Sequence, residues 1–163
     1  MSKIVEVTIP QKNIKTYPVI IGENVLDFLP EYLNKSTNAE KFLIITNSTI
    51  FPIYGNKIRD LLKKNGIKFD FAIIPDGEKY KTIKTLKSIW DKAVEYKLHR
   101  NDAIIAFGGG VVGDVAGFAA STHLRGIDFI QIPTTLLAQV DSSVGGKVGI
   151  NHESGKNLIG AFY

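Results

Sequence analysis

Residues 103–114 read Ala-Ile-Ile-Ala-Phe-Gly-Gly-Gly-Val-Val-Gly-Asp, and this stretch decides the fold class. Ala103–Phe107 are five apolar residues suited to a strand buried on both faces. Gly108, Gly109 and Gly110 follow, and then a small-residue apolar segment opening with Val111, Val112, Gly113 and Asp114 that suits a helix. A strand entering a helix through glycines bares unpaired first-turn N–H groups at the positive end of the helix dipole. The pattern predicts a site for phosphate or pyrophosphate.

The same alternation extends on both sides. Ile4–Ile9 and Tyr17–Ile21 alternate as strands, and the polar link Gln11–Thr16 suits a hairpin. Apolar spacing predicts a helix over Glu23–Leu33, a buried strand at Phe42–Thr46 and a helix at Ile50–Asn65 stopped by Gly66. Lys68–Ile74 reads as a strand ended by Pro75-Asp76-Gly77, and Thr82–Lys97 as a helix. Downstream, Phe129–Ile132 is a strand ending at Pro133, residues 134–140 are helical, and Val148–Asn151 is a short strand. The order implies an α/β fold: a doubly wound, mostly parallel sheet with an N-terminal β-hairpin. Ligands of such sheets lie beyond the carboxyl ends of the strands. Those ends are Thr46-Asn47-Ser48, Asp76-Gly77-Glu78, Gly108–Gly110 and Thr134-Thr135.

At 163 residues, 44% hydrophobic and 22% charged, the chain suits one domain with its own core. The absence of cysteine excludes thiol catalysis, zinc–thiolate sites and disulfides. No apolar run approaches the ~20 residues of a membrane span, and the first residues do not form a signal peptide, so a cytoplasmic protein is expected. The net charge of +4 is uneven: residues 1–100 carry 17 Lys/Arg against 11 Asp/Glu, and residues 101–163 carry 3 against 5. The lysines of the first part are spread over helix faces with no arginine cluster, which argues against nucleic acid. In the second part Arg125, Lys147 and Lys156 stand alone among small residues, where 11 of the 15 glycines also fall. Lone cations in that setting read as ligand contacts.

Gly108, Gly110 and Gly113 satisfy G-x-G-x-x-G, but on a later strand than the usual dinucleotide fingerprint. Asp76-Gly77-Glu78-Lys79-Tyr80-Lys81-Thr82 leaves a strand end. It reads as a turn with helix-start decoration, or as a carboxylate for ribose hydroxyls with Lys81 against phosphate. Thr134 reads as a helix cap or a hydroxyl contact. Asp141-Ser142-Ser143-Val144-Gly145-Gly146-Lys147 places a carboxylate, two hydroxyls and a lysine in one loop, and Gly155-Lys156-Asn157 repeats the theme. Such polar loops are costly to bury without a ligand. His99, His123 and His152 show no metal-ligand spacing.

Taken together, Asp76–Thr82, Gly108–Gly117, Arg125-Gly126, Ile132–Leu137, Gln139–Lys147 and Gly155–Tyr163 resemble, in order, the motifs of the 3-dehydroquinate synthases. The resemblance covers essentially the whole chain. It implies a Rossmann-like NAD-binding N-terminal domain over residues 1–163. The family turns 3-deoxy-D-arabino-heptulosonate 7-phosphate into 3-dehydroquinate and phosphate, a step of aromatic amino-acid biosynthesis. NAD transiently oxidises a carbinol; phosphate elimination, reduction and aldol closure follow. Carried onto this sequence, the resemblance implies cofactor contacts from Asp76, Gly77, Glu78, Lys79, Tyr80 and Lys81. It adds Gly109, Gly110, Val111, Val112, Gly113 and Asp114, then Thr134, Thr135, Asp141, Lys147 and Lys156. Asn47 stands where many relatives carry an aspartate facing the adenosine ribose. Substrate-side roles fall to Lys147, Asp141, Asn157 and Arg125, the last offered to a partner subunit of a homodimer. The resemblance places the divalent metal, zinc or cobalt, in a helical C-terminal domain beyond Tyr163. The expectation is therefore a cofactor half-site without turnover of its own. Another sugar-phosphate cyclase, a glycerol-type dehydrogenase and a non-catalytic nucleotide-binding module remain open alternatives here.

Overall fold

The computed structural model describes residues 3–9 and 15–163. Residues 11–14 of the expected hairpin link lie outside them, but the pairing on either side is present. β1 (Lys3–Ile9) and β2 (Lys15–Ile21) run antiparallel, with Val7 opposite Tyr17.

The central sheet has four parallel strands in the order β4-β3-β5-β6. β3 is Lys41–Asn47, β4 Lys68–Ile74, β5 Ala103–Gly108 and β6 Asp128–Pro133. Alternate residues of the middle strands face two apolar layers. Leu43, Ile45, Ile104 and Ala106 pack against α3 (Ile83–Glu95) and α4 (Gly110–Thr122). Phe42, Ile44, Ala103 and Ile105 pack against α1 (Leu29–Ser36) and α2 (Ile50–Lys64). Burial on both faces is why β3 and β5 are continuously apolar, and it confirms the doubly wound reading. Because all four strands are parallel, their carboxyl ends lie along one edge of the sheet.

Three expectations need correction. The helix expected over Glu23–Leu33 is a 3-10 turn (Val25–Phe28) followed by α1 from Leu29. Asn24 takes a left-handed φ of 54°, and Pro30 fits only the first turn of an α-helix because its ring excludes the preceding turn's carbonyl. The helical turn expected at residues 134–140 starts later and continues as a widened turn, Ala138–Ser142, which carries Asp141 and Ser142. Finally, Gly155-Lys156-Asn157 is not a loop but the start of β8 (Gly155–Phe162), antiparallel to β7 (Lys147–His152). Gly149 and Gly160 face each other in that ladder, and a Cβ on Gly149 would sit 2.6 Å from the Ile159 carbonyl oxygen. The β7–β8 hairpin packs on α4, whose small residues let it approach closely.

Candidate functional site

α4 begins directly at the end of β5 and carries no side-chain cap. The Gly109 carbonyl accepts from the Gly113 N–H (3.1 Å), so the N–H groups of Gly110, Val111 and Val112 precede the first intrahelical donor and have no helical partner. A Cβ on Gly110 would meet the Ser142 side chain, its hydroxyl at 3.1 Å, and one on Gly109 the Thr135 side chain, its methyl at 3.4 Å. The space over this turn is otherwise open. Gly113 faces the other way: a Cβ there would lie 2.8 Å from Gln131 Oε1, so its bareness serves helix–sheet packing. Val112 is a core residue and can offer a ligand only its backbone N–H.

The loop after β6 lies beside this turn. The Thr134 N–H donates to the Gly108 carbonyl (3.0 Å). Thr134 Oγ1 is buried without a hydrogen-bond partner, which leaves an acceptor and donor at the rim of the glycine turn. The cap considered for Thr134 belongs instead to Thr135, whose hydroxyl accepts from the Ala138 N–H (3.2 Å).

Lys81 is nearly fully buried and donates to Asp114 and Asn157. Burial pushes the Asp114 carboxyl above its ordinary range, and the Lys81 ammonium pulls it back only in part. Glu78 accepts from Asn151 Nδ2 (2.8 Å) through Oε1. Lys79 lies over the Tyr80 ring at 5.1 Å and is exposed. Asp76 accepts from Asn47 Nδ2 (2.8 Å) and the Thr49 hydroxyl (2.7 Å). Asn47 Oδ1 in turn accepts from the N–H groups of Thr49 and Ile50, capping α2. Asn47 is thus a helix cap that steadies Asp76, as well as a residue at a strand end.

A cleft of about 430 Å³ opens beside these groups, lined by Asp114, Asp141, Ser142, Lys147 and Asn157 among others. Lys147 and Asp141 face each other at 4.0 Å with both side chains two-thirds exposed. The Tyr17 hydroxyl accepts from the Gly145 N–H (2.8 Å), so the N-terminal hairpin steadies the loop between them. Lys156 is exposed on β8. Arg125 is not part of this assembly. It lies past the C-terminus of α4, about 20 Å along the helix from the glycine turn, on a turn where Leu124, Arg125 and Gly126 have φ of 51°, 71° and 116°. Among the described residues no group of three His, Cys, Asp or Glu side chains could hold a metal, and no helix is long and apolar enough to cross a membrane.

Sequence reasoning missed Asn151, Tyr17 and Thr49. The signal for Asn151 was present: two apolar runs around Glu153-Ser154-Gly155 describe a hairpin, and Asn151 sits just before its turn.

The family model for the 3-dehydroquinate synthase N-terminal region matches residues 71–163. A 3-dehydroquinate synthase of Pelotomaculum thermopropionicum is 52% identical over 149 residues, 91% of this chain and 40% of that protein. One from Crocosphaera subtropica is 47% identical over 163 residues, all of this chain and 44% of that protein. The chain therefore spans under half the length of these curated relatives. A 2-deoxy-scyllo-inosose synthase solved with carbaglucose-6-phosphate, NAD+ and Co2+ superposes with a TM-score of 0.86 at 31% identity, over 98% of this chain and 43% of that one.

Proposed function

The chain belongs to the 3-dehydroquinate synthase family, and from this we propose that it forms the NAD+-binding part of a 3-dehydroquinate synthase. The whole enzyme, on this reading, is cytoplasmic and converts 3-deoxy-D-arabino-heptulosonate 7-phosphate to 3-dehydroquinate and phosphate. The observation that carries it is the uncapped, glycine-lined start of α4 beside the unpartnered Thr134 hydroxyl. An anion there satisfies donors that nothing in the described chain satisfies.

The residues present fit NAD+. The N–H groups of Gly110, Val111 and Val112, with the Thr134 hydroxyl beside them, would hold the pyrophosphate. Glu78, steadied through Oε1 by Asn151, would offer its remaining acceptor capacity to a ribose hydroxyl. Asp76, Gly77, Lys79, Tyr80 and Asn47 wall the same strand ends. Bound there, NAD+ would supply reversible hydride transfer at a substrate carbinol, with no net redox change over the reaction. Lys147 and Asp141 face the cleft from its open side, where an ammonium and a carboxylate can bind phosphate and hydroxyl groups of a sugar phosphate. Lys156 brings a further cation from β8. Asn157 is held on Lys81 at the cleft wall. The divalent metal, Zn2+ or Co2+, belongs to parts of the enzyme other than these residues. Arg125, remote from this cleft, serves a partner subunit's substrate in a homodimer.

Isothermal titration of NAD+ into the full-length enzyme tests the reading. Gly110→Val places a branched side chain over the pyrophosphate while the fold survives, so NAD+ affinity should fall at least tenfold. Unchanged affinity would put the cofactor elsewhere. Residues 1–163 alone should release no phosphate from substrate with NAD+ and Co2+, and should bind NAD+ more weakly than roughly 1 μM, about −8 kcal/mol. The fold likeness to a 2-deoxy-scyllo-inosose synthase comes with lower identity, so a hexose 6-phosphate should not replace the heptulosonate.

A further inference from the structure

We infer that Asn151 is a positioning residue that locks the β7–β8 hairpin onto the loop after β4, so that Glu78, Lys81 and Asn157 are held as one unit for the cofactor. The inference rests on the cofactor reading above and adds to it a group that touches neither cofactor nor substrate.

Three hydrogen bonds converge on Asn151, each 2.8 Å long. Its N–H donates to the Lys81 carbonyl, its Nδ2 donates to Glu78 Oε1, and its Oδ1 accepts from the Asn157 N–H. The bonds span 73 residues of chain to Glu78 and only six to Asn157. The ladder explains why Asn151 is free to make them. Ile150 pairs with Ile159 and His152 with Gly155, and the register slips between them, at Asn151. A residue at such an irregularity turns its backbone away from the partner strand and re-aims its side chain. On the other strand Asn157 takes a left-handed φ of 58° and directs its side-chain oxygen to Lys81. The irregularity therefore serves two residues whose bonds both end on the Glu78–Lys81 loop.

The residue type follows from the partners. Glu78 can only accept and the Asn157 N–H can only donate, so the side chain between them must donate on one side and accept on the other. An amide does both without titrating. Aspartate would face Glu78 with a second carboxylate, in surroundings that also hold Lys81 and Asp114.

The test uses the full-length enzyme and NAD+ titration well below any melting transition. Asn151→Asp should raise the NAD+ Kd about tenfold, the scale of a lost hydrogen bond to a charged group. Adding Glu78→Gln to it restores a donor facing an acceptor, and the double variant should bind within about threefold of Glu78→Gln alone. Asn151→Ala, which has no repulsion to unfold it, should raise the Kd severalfold while kcat at saturating NAD+ changes less than about twofold. A purely structural asparagine would lower Tm in these variants and leave the Kd where it was; that outcome, or a double variant no better than Asn151→Asp, overturns the proposal. Gly110→Val separates the two levels. If it loses NAD+ while the Asn151 variants bind normally, the positioning role alone fails. If it binds NAD+ normally, the cofactor reading fails and the positioning role with it.

Discussion

Asp114 sits on the second turn of α4 with its carboxylate on Lys81, in a setting where desolvation outweighs the ion pair and holds its pKa above the ordinary carboxylate value. A carboxyl raised on folding contributes stability that is fully present below its unfolded pKa and is lost as pH rises through the folded one. Asp114→Asn has no such titration, yet keeps an oxygen for Lys81. Thermal melts should therefore show the wild type gaining on Asp114→Asn as pH falls from 7 into the range below about 4. A constant difference across that range would mean the carboxyl is not raised. The residue types at the strand ends were legible from sequence because glycine, lysine and carboxylate have few other reasons to follow a buried strand. Partners were less so. Asn47 read as a ligand-facing amide and is also the cap of α2. Thr134 read as a possible cap, but Thr135 takes that bond and leaves Thr134 with none. Which of two adjacent hydroxyls reaches an N–H depends on backbone angles that adjacent threonines do not reveal.

Among the elements, α4 shows why a helix can be built from so many small residues. A Cβ on Gly117 would lie 2.8 Å from the Phe129 ring and press on the Val148 side chain, so glycine there sets how closely β6 and β7 approach. Helix propensity alone would make Gly117→Ala stabilising by up to about 1 kcal/mol. Overpacking a full core typically costs about 1–3 kcal/mol, so the substitution should lower the melting temperature. A rise would show that the approach is not tight. The strands and α2–α4 were legible because their apolar periods are long and uninterrupted. α1 was placed too early because apolar spacing ran through Pro30, whose ring forbids what the spacing suggests. β8 was missed because, although apolar runs flank Glu153-Ser154-Gly155, Lys156, Asn157 and Gly160 break the alternation that would mark the second run as a strand. Its pairing is fixed by glycine facing glycine across the ladder, which a one-dimensional period does not report.

Over the whole molecule, the three cations of residues 101–163 read from composition as ligand contacts, since little else explains charge amid glycine. Their separation was not: Lys147 and Lys156 lie on the β7–β8 hairpin, and Arg125 past the far end of α4. All three are exposed, and exposed side chains away from caps and cores change stability by about 0.5 kcal/mol or less. Arg125→Ala and Lys156→Ala should thus leave the melting temperature of the full-length enzyme nearly unchanged while reducing phosphate release. If only Arg125→Ala is rescued by mixing with a subunit inactivated at Lys147, the arginine acts across a dimer; no rescue would place it in its own subunit's site. The bare first turn of α4 has one more consequence, a thermodynamic one. A helix that leaves its cap to a dissociable anion folds more favourably when that anion is abundant. By mass action a ligand at a hundred times its Kd adds about 2.7 kcal/mol to the folded state. If the proposed cofactor is that anion, the persistence of these residues against unfolding and proteolysis follows the nucleotide pool around them, and starvation for cofactor would shorten the protein's lifetime.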